Sequence, residues 1–227
     1  MTILINPSLG ANQKLYAGGS NTCFKAITKG GPTPTQITDT SGRGNHGVFT
    51  TAPEPVLVGD LWCYQFVSGD SEYVTVPDIT ELLGATEATW CAWVRKDAYV
   101  YRQSIANEYA SDVGWRLGFE NSENLWWVHV ATANAQIAGA FTTGWHFCWM
   151  RFVANNATGL STGVDNASAT GDTTGVASIE NSAYPLYIGR WIVYSSMTLG
   201  ALAIWPSAIS DAEIQKWRYH VKRQLGV

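Results

Sequence analysis

Two stretches of the chain carry glycine spacings that serve phosphate binding and nucleophilic catalysis elsewhere. Gly42-Arg43-Gly44-Asn45-His46-Gly47 has the form GxGxxG, and Gly159-Leu160-Ser161-Thr162-Gly163 has the form GxSxG. The first binds a dinucleotide only between a strand and a helix, where the pyrophosphate meets the helix amino terminus. Residues 48–56 contain Pro53 and Pro55 and cannot supply that helix. The second needs a strand, a sharp turn and a helix to expose its serine. Residues 164–174 are rich in Asn, Ala, Gly and Thr and read as strand and turn instead. Both glycine patterns are therefore read as turns. His46, His129, His146 and His220 show no HxxxH or HExxH spacing and are read as packed, hydrogen-bonded histidines.

Carboxylates offer little more. Glycoside hydrolysis needs two carboxyl groups on opposite sides of one bond. Glu120 and Glu123 flank the Asn121-Ser122 turn, and Glu72, Glu81 and Glu87 stand apart. The expectation is a protein that is not an enzyme. Asp39-Thr40-Ser41-Gly42 with Asn45 forms an oxygen-rich, glycine-containing loop of the kind a hard cation takes. Asp39 and Asn45 are thus candidate metal residues, for calcium if any, and an Asx-stabilised turn is the competing reading. Asp165, Asn166 and Asp172 make a second loop of this type.

Aromatic side chains carry the remaining chemistry. Trp126 and Trp127 are adjacent, so on a strand they point to opposite faces. One fills the core, and the other lies outside, where an indole stacks on a sugar ring or a partner protein. Tyr109, Trp191 and Tyr194 occupy loop-like segments. Trp126, Trp127, Trp191, Tyr194 and Tyr109 are the candidate ligand-binding residues.

The elements that must position them read as strands. Residues 61–67 alternate, with Trp62, Tyr64 and Phe66 on one face, and 73–77 form a second strand beyond the Ser68-Gly69-Asp70-Ser71 turn. Residues 88–95 are continuously apolar, as in a strand covered on both faces. Stretches 115–119, 125–130, 145–153, 186–188 and 202–205 continue the pattern between polar turns, which implies a two-sheet sandwich. One helix stands out. Ser210-Asp211-Ala212-Glu213 is a capping box, and Ile214, Trp217, Val221 and Leu225 recur at helical spacing. Lys216, Arg218, Lys222 and Arg223 occupy its solvated side. The expected organisation is an arm with short strands over 1–37, a sandwich over 38–209 and an amphipathic helix over 210–227.

Composition narrows the setting. The 227 residues include 14 Lys plus Arg against 18 Asp plus Glu, so nucleic acid is not the expected partner. The longest apolar stretch, 199–209, contains Pro206 and covers about half of a bilayer span, so no membrane helix is expected. The start, Met1-Thr2-Ile3-Leu4-Ile5-Asn6-Pro7, has no basic region or apolar core and reads as lacking a secretion signal. Cys23, Cys63, Cys91 and Cys148 form no CxxC pair and are read as buried free thiols.

Several of these pieces, in order, resemble the laminin-G-like jelly-roll domains of the concanavalin A-like lectin/glucanase superfamily. Residues 39–47 resemble that family's opening loop, and Phe66-Val67-Ser68-Gly69 with Tyr73-Val74-Thr75-Val76-Pro77 resembles its hairpin. Thr89-Trp90-Cys91-Ala92-Trp93-Val94 is similar to its buried central strand, and Gly144-Trp145-His146 with Gly163-Val164-Asp165-Asn166 to a later strand and turn. Tyr187-Ile188-Gly189-Arg190 and residues 202–214 complete the order. The resemblance implies an all-β, two-sheet antiparallel jelly roll with a short C-terminal helix. Gly200-Ala201 stands where many relatives carry an acidic pair, which weakens any inherited calcium site.

The fold hosts lectins, glycanases and structural modules alike. The leading expectation is a non-enzymatic phage virion-surface protein, a capsid decoration protein or a head or tail fibre component, assembled in the host cytoplasm. Its partners would be virion proteins of the capsid or tail, or surface glycans, and a homo-oligomer is compatible with this. The alternative is a carbohydrate-binding, lectin-like module of a cellular or extracellular protein, and the second alternative a glycan hydrolase or lyase. No cofactor is expected, calcium at Asp39 and Asn45 being the one exception left open.

Overall fold

The computed structural model describes residues 36–98, 101–110, 112–120, 124–180 and 184–227, with residue 22 and the short stretches 4–5, 14–15 and 24–27. Most of the expected arm, and Cys23 and Glu123, lie outside the described residues. The strands in chain order are β1 (Leu4–Ile5), β2 (Lys14–Leu15), β3 (Phe24–Ile27), β4 (Gln36–Ile37), β5 (Gly47–Thr51) and β6 (Glu54–Val58). They continue as β7 (Leu61–Phe66), β8 (Tyr73–Val76), β9 (Glu87–Lys96), β10 (Gln103–Ala110), β11 (Val113–Glu120) and β12 (Leu125–Val130). The rest are β13 (Ala133–Ile137), β14 (Gly144–Val153), β15 (Leu160–Val164), β16 (Ala167–Gly171), β17 (Leu186–Ile188) and β18 (Met197–Trp205), followed by helix α1 (Asp211–Leu225).

Besides the separate two-stranded pair β1–β2, the strands build two antiparallel sheets. One runs β13-β12-β11-β10-β17-β8-β5-β4, and the other β16-β15-β14-β9-β18-β7-β6, with β3 also paired to β18. This is the expected jelly-roll sandwich. Pro55 sits in β6, at the edge of its sheet, where the missing N–H leaves no ladder bond unmade. The GxSxG stretch is not the turn expected of it. Only Gly159 precedes the strand, Leu160, Ser161, Thr162 and Gly163 belong to β15, and no helix follows it directly.

Side chains of both sheets meet in one large core. Trp90, Ala92 and Val94 of β9 face Trp115, Leu117 and Phe119 of β11 and Trp126, Val128 and Val130 of β12 across it. Cys91 and Trp93 point the other way, so β9 is covered on both faces, as its apolar run predicts. Their cover is α1. Ser210 Oγ accepts from Glu213 N at 3.3 Å, and Ser210 N donates to Glu213 Oε2 at 2.9 Å, closing the capping box. Ile214, Trp217, Val221 and Leu225 then pack on Leu61, Cys63, Phe147, Ala201, Ala203 and Trp205.

Strand β18 serves both cores. Met197, Leu199, Leu202 and Ile204 enter the large core, while Ala201, Ala203 and Trp205 lie under the helix. The register against β9 shifts between Leu199 and Ala201, and Gly200 sits at that bulge. A Cβ on Gly200 would lie 3.0 Å from Trp145 and 3.1 Å from Leu225. Cys63, Cys91 and Cys148 are buried free thiols, and burial pushes Cys63 up to about 12. Among the described residues, no helix is long and apolar enough to cross a membrane.

Candidate functional site

Among the described residues, no helix covers the outer face of the eight-stranded sheet. Because Trp115, Leu117 and Phe119 point inward, Arg116 and Gly118 of β11 point outward. On β12, Trp126 faces in and Trp127 and His129 face out. Gly118 stands directly opposite Trp127, and Arg116 opposite His129. A Cβ on Gly118 would lie 2.8 Å from Trp127 Cζ2, so its absence lets the indole lie across the sheet toward Arg116.

Trp191 also packs against the guanidinium, edge to face with Trp127. It sits on the turn after β17, where Gly189 adopts φ 83° and a Cβ would strike the Phe66 ring. Ser195 N donates to Gly189 O at 2.8 Å, and Trp191 N to Val193 O at 3.1 Å, tying the turn together. Arg116 Cζ lies 3.6 Å from the Trp127 ring centroid, 3.4 Å from that of Trp191 and 4.8 Å from that of Tyr109. Tyr109 donates its hydroxyl to Asp112 Oδ1 at 2.7 Å, which orients the ring. The three rings and the imidazole of His129 touch edge to face, at centroid separations of 5.1 to 6.4 Å.

Arg116 is only 5% exposed, and its Nε and Nη1 have no hydrogen-bond acceptor. Burial draws the guanidinium down to about 9, so it remains a cation at neutral pH. Burial, reinforced by the Arg116 charge, draws His129 down to about 4, so its ring is neutral there. Glu120 lies beside the cluster, 3.6 Å from Arg102 Nε. A cavity of about 290 Å³ opens here, lined by Arg116, Trp127, Trp191, His129, Gln136 and the Arg102–Glu120 pair.

A second arginine cluster lies on the turn beside the first. Arg190 Cζ is 4.7 Å from the Tyr73 ring centroid, 5.4 Å from Tyr187 and 5.6 Å from Tyr194. The sequence-predicted residues therefore divide. Trp127, Trp191 and Tyr109 surround Arg116, and Tyr194 belongs to the adjoining cluster. Trp126 is fully buried in the core and donates its indole N–H to Thr162 Oγ1 at 2.8 Å, so it offers no surface. Arg116, His129, Gln136, Arg190, Tyr73 and Tyr187 were missed. The readable signal for Arg116 was one charge among inward-facing residues in Trp115-Arg116-Leu117-Gly118-Phe119.

The Asp39 loop is locked by its own backbone. Ser41 N and Oγ donate to the Asp39 carboxylate at 2.8 Å each, and Asn45 N donates at 3.0 Å. Both oxygens already accept, and Gly200 and Ala201 pack beneath the helix without any carboxylate. The Asp39 carboxylate thus engages in an Asx-stabilised turn, the competing reading of this loop. Asp165 in the second loop is likewise engaged. Its Oδ2 lies 2.7 Å from His146 Nδ1, and its Oδ1 accepts from Phe147 N at 3.0 Å. Among the described residues, no three His, Cys, Asp or Glu side chains gather as a metal site would need.

A lectin-like sandwich with an open aromatic face is the class of protein this architecture defines. A laminin-G-type family model, described as the concanavalin A-like lectin/glucanases superfamily, matches residues 68–215, and the chain belongs to that superfamily. No curated protein sequence matches the chain. Among solved structures, the binding domain of Paraclostridial Mosquitocidal Protein 1 superposes with a TM-score of 0.66 at 12% identity, covering 86% of this chain and 51% of that one. The binding domain of botulinum neurotoxin DC in complex with SialylT gives 0.64 at 11% identity, covering 90% and 52%. The same neurotoxin's binding domain in complex with rat synaptotagmin II gives 0.63 at 11% identity, covering 88% and 52%. The chain thus spans about half the length of these structures, and identities this low speak for the fold.

Proposed function

We propose that this chain is a non-catalytic recognition module that binds surface glycans through the outer face of its eight-stranded sheet. The observation that carries this reading is the cluster of half-buried Trp191 and Tyr109 with nearly buried Trp127 and Arg116 around a cavity. Sugar-binding sites place aromatic rings where they can stack on the apolar face of a pyranose, with a few polar groups to orient it. Support also comes from the similar folds, one of them a binding domain in complex with SialylT. A fibre or capsid decoration protein would use the same face to reach a host glycan, so the virion setting expected from the sequence is carried within this reading.

A glycan array with the full chain tests the proposal. Binding should appear, be abolished by Trp191→Ala, and survive Tyr219→Ala on the exposed side of α1. A blank array, or binding indifferent to Trp191→Ala, would overturn it.

A further inference from the structure

We infer that the cavity over Arg116 takes the oxyanion of an acidic sugar residue, a carboxylate or a sulfate, so that the ligand is an anionic glycan. This rests on the glycan-binding reading and deepens it. The guanidinium is packed against Trp127 at 3.6 Å and Trp191 at 3.4 Å, two rings that stand edge to face with centroids 5.9 Å apart. Its Nε and Nη1 are buried and donate to nothing. Leaving buried donors unmet is costly, and most of all on a charged group. Nη2 forms one edge of the guanidinium with Nε and another with Nη1, and either edge matches the paired oxygens of a carboxylate or sulfate, which accept two parallel N–H bonds.

The surroundings leave that charge available. Glu120 is the carboxylate lining the cavity, and it faces Arg102 across 3.6 Å. Those two charges offset each other, and Arg116 supplies the surplus. Tyr109 has its hydroxyl committed to Asp112. Gln136, exposed at the rim, offers an amide to the sugar hydroxyls. Of the two indoles over Arg116, Trp127 is nearly buried on a strand and Trp191 is half-buried on a turn. The cavity, at about 290 Å³, sits at the lower end of ligand pockets and suits one sugar unit with its acidic group.

A larger depression of about 360 Å³ beside α1 also holds an arginine with an unmet buried Nε, Arg218. Its Nη1 donates to Asp165 O at 2.8 Å, however, and the carboxylates of Asp165 and Asp211 share the lining, so no cationic surplus is left there.

Calorimetric titration of the full chain with lactose, sialyllactose and 6-sulfated lactose tests the inference. An acidic probe should bind about tenfold or more tighter than lactose, the range of a hydrogen bond to a charged group. Whichever acidic probe binds tighter identifies the oxyanion. Arg116→Gln should bring the acidic probes down to the affinity of lactose, and Arg116→Lys, which keeps the charge but not the fork, should retain part of the preference. Equal binding of lactose by the wild type overturns this inference and leaves glycan binding standing. So does an acid preference that survives Arg116→Gln. No binding of any probe together with a blank array fells both. The wild-type comparison needs no variant, so a misfolded Arg116→Gln protein does not spare the inference.

Discussion

The two outer faces of the sandwich are built from similar materials and end differently. On the seven-stranded sheet, Trp93, Phe147 and Trp205 stand among Cys63, Cys91, Ala201 and Ala203, whose small side chains leave room for a helix to settle. On the eight-stranded sheet, Trp127, Tyr109, Tyr187 and Tyr73 stand beside Arg116 and Arg190 instead. The first face is sealed by Trp217 and its neighbours and contributes a second interior. The second covers its rings with cations from its own sheet and turn. An aromatic residue therefore declares neither core nor site by itself, and the residues between the rings decide. Small ones invite an element to dock, and arginines keep the surface polar enough to remain uncovered.

The largest test of that contrast removes one indole from each face. Trp217→Ala empties a fully buried position and should cost about 3–5 kcal/mol of stability by chemical denaturation. Trp191→Ala, on the half-buried turn, should cost about 1 kcal/mol or less. Similar losses would mean that the open face is as much a core as the sealed one.

The second test uses pH, because the eight-stranded sheet carries opposite titrations on its two sides. Glu108, buried beside Trp115 Nε1 at 2.9 Å, is pushed up from 4.5 to about 7 by burial. It keeps its proton longer in the folded chain, so its contribution is complete below pH 4.5 and lost as pH rises through 7, by about 3 kcal/mol. His129 on the outer side is drawn down from 6.5 to about 4, so its contribution is complete above pH 6.5 and lost as pH falls through 4. Between pH 4.5 and 6.5 the two oppose each other. Glu108→Gln should leave a Tm that climbs with pH across that window, and His129→Gln one that declines. Parallel profiles for the two variants would contradict the assignment.

A smaller effect is expected at Gly118, where an added methyl group meets both Trp127 and Gln103 O. Gly118→Ala should cost about 1–3 kcal/mol and displace Trp127, weakening glycan binding along with stability. Smallest is Ser210→Ala, which removes the cap from α1 and should cost about 1 kcal/mol by thermal melting without altering ligand affinity. A change in affinity there would show that the sealed face communicates with the open one.

The helix was legible because its signals are local: a cap, a spacing of three and four, and cations at the end. Strand β9 was legible because its apolar run has no polar alternation. The partition of Trp126 and Trp127 was half legible. Adjacency fixed that they oppose each other, and only pairing with Gly118 decided which one faces out. Arg116 escaped because its two covering indoles come from Trp127 and Trp191, which are far apart in the chain and meet only once β17 and its turn are placed beside β10. The Asp39 loop showed oxygen atoms but not that Ser41 and Asn45 already use them.

Gly200 has a consequence for how this chain tolerates change. One surplus residue reverses the parity of β18 halfway along, so a single ribbon of backbone supplies large aliphatic groups to one interior and two methyl groups and an indole to the other. Deleting that glycine would transpose the two sets: Leu202 and Ile204 would be thrust at the helix, and Ala203 would be left where bulk is required. An indel there therefore injures both interiors at once, although every side chain except hydrogen is retained.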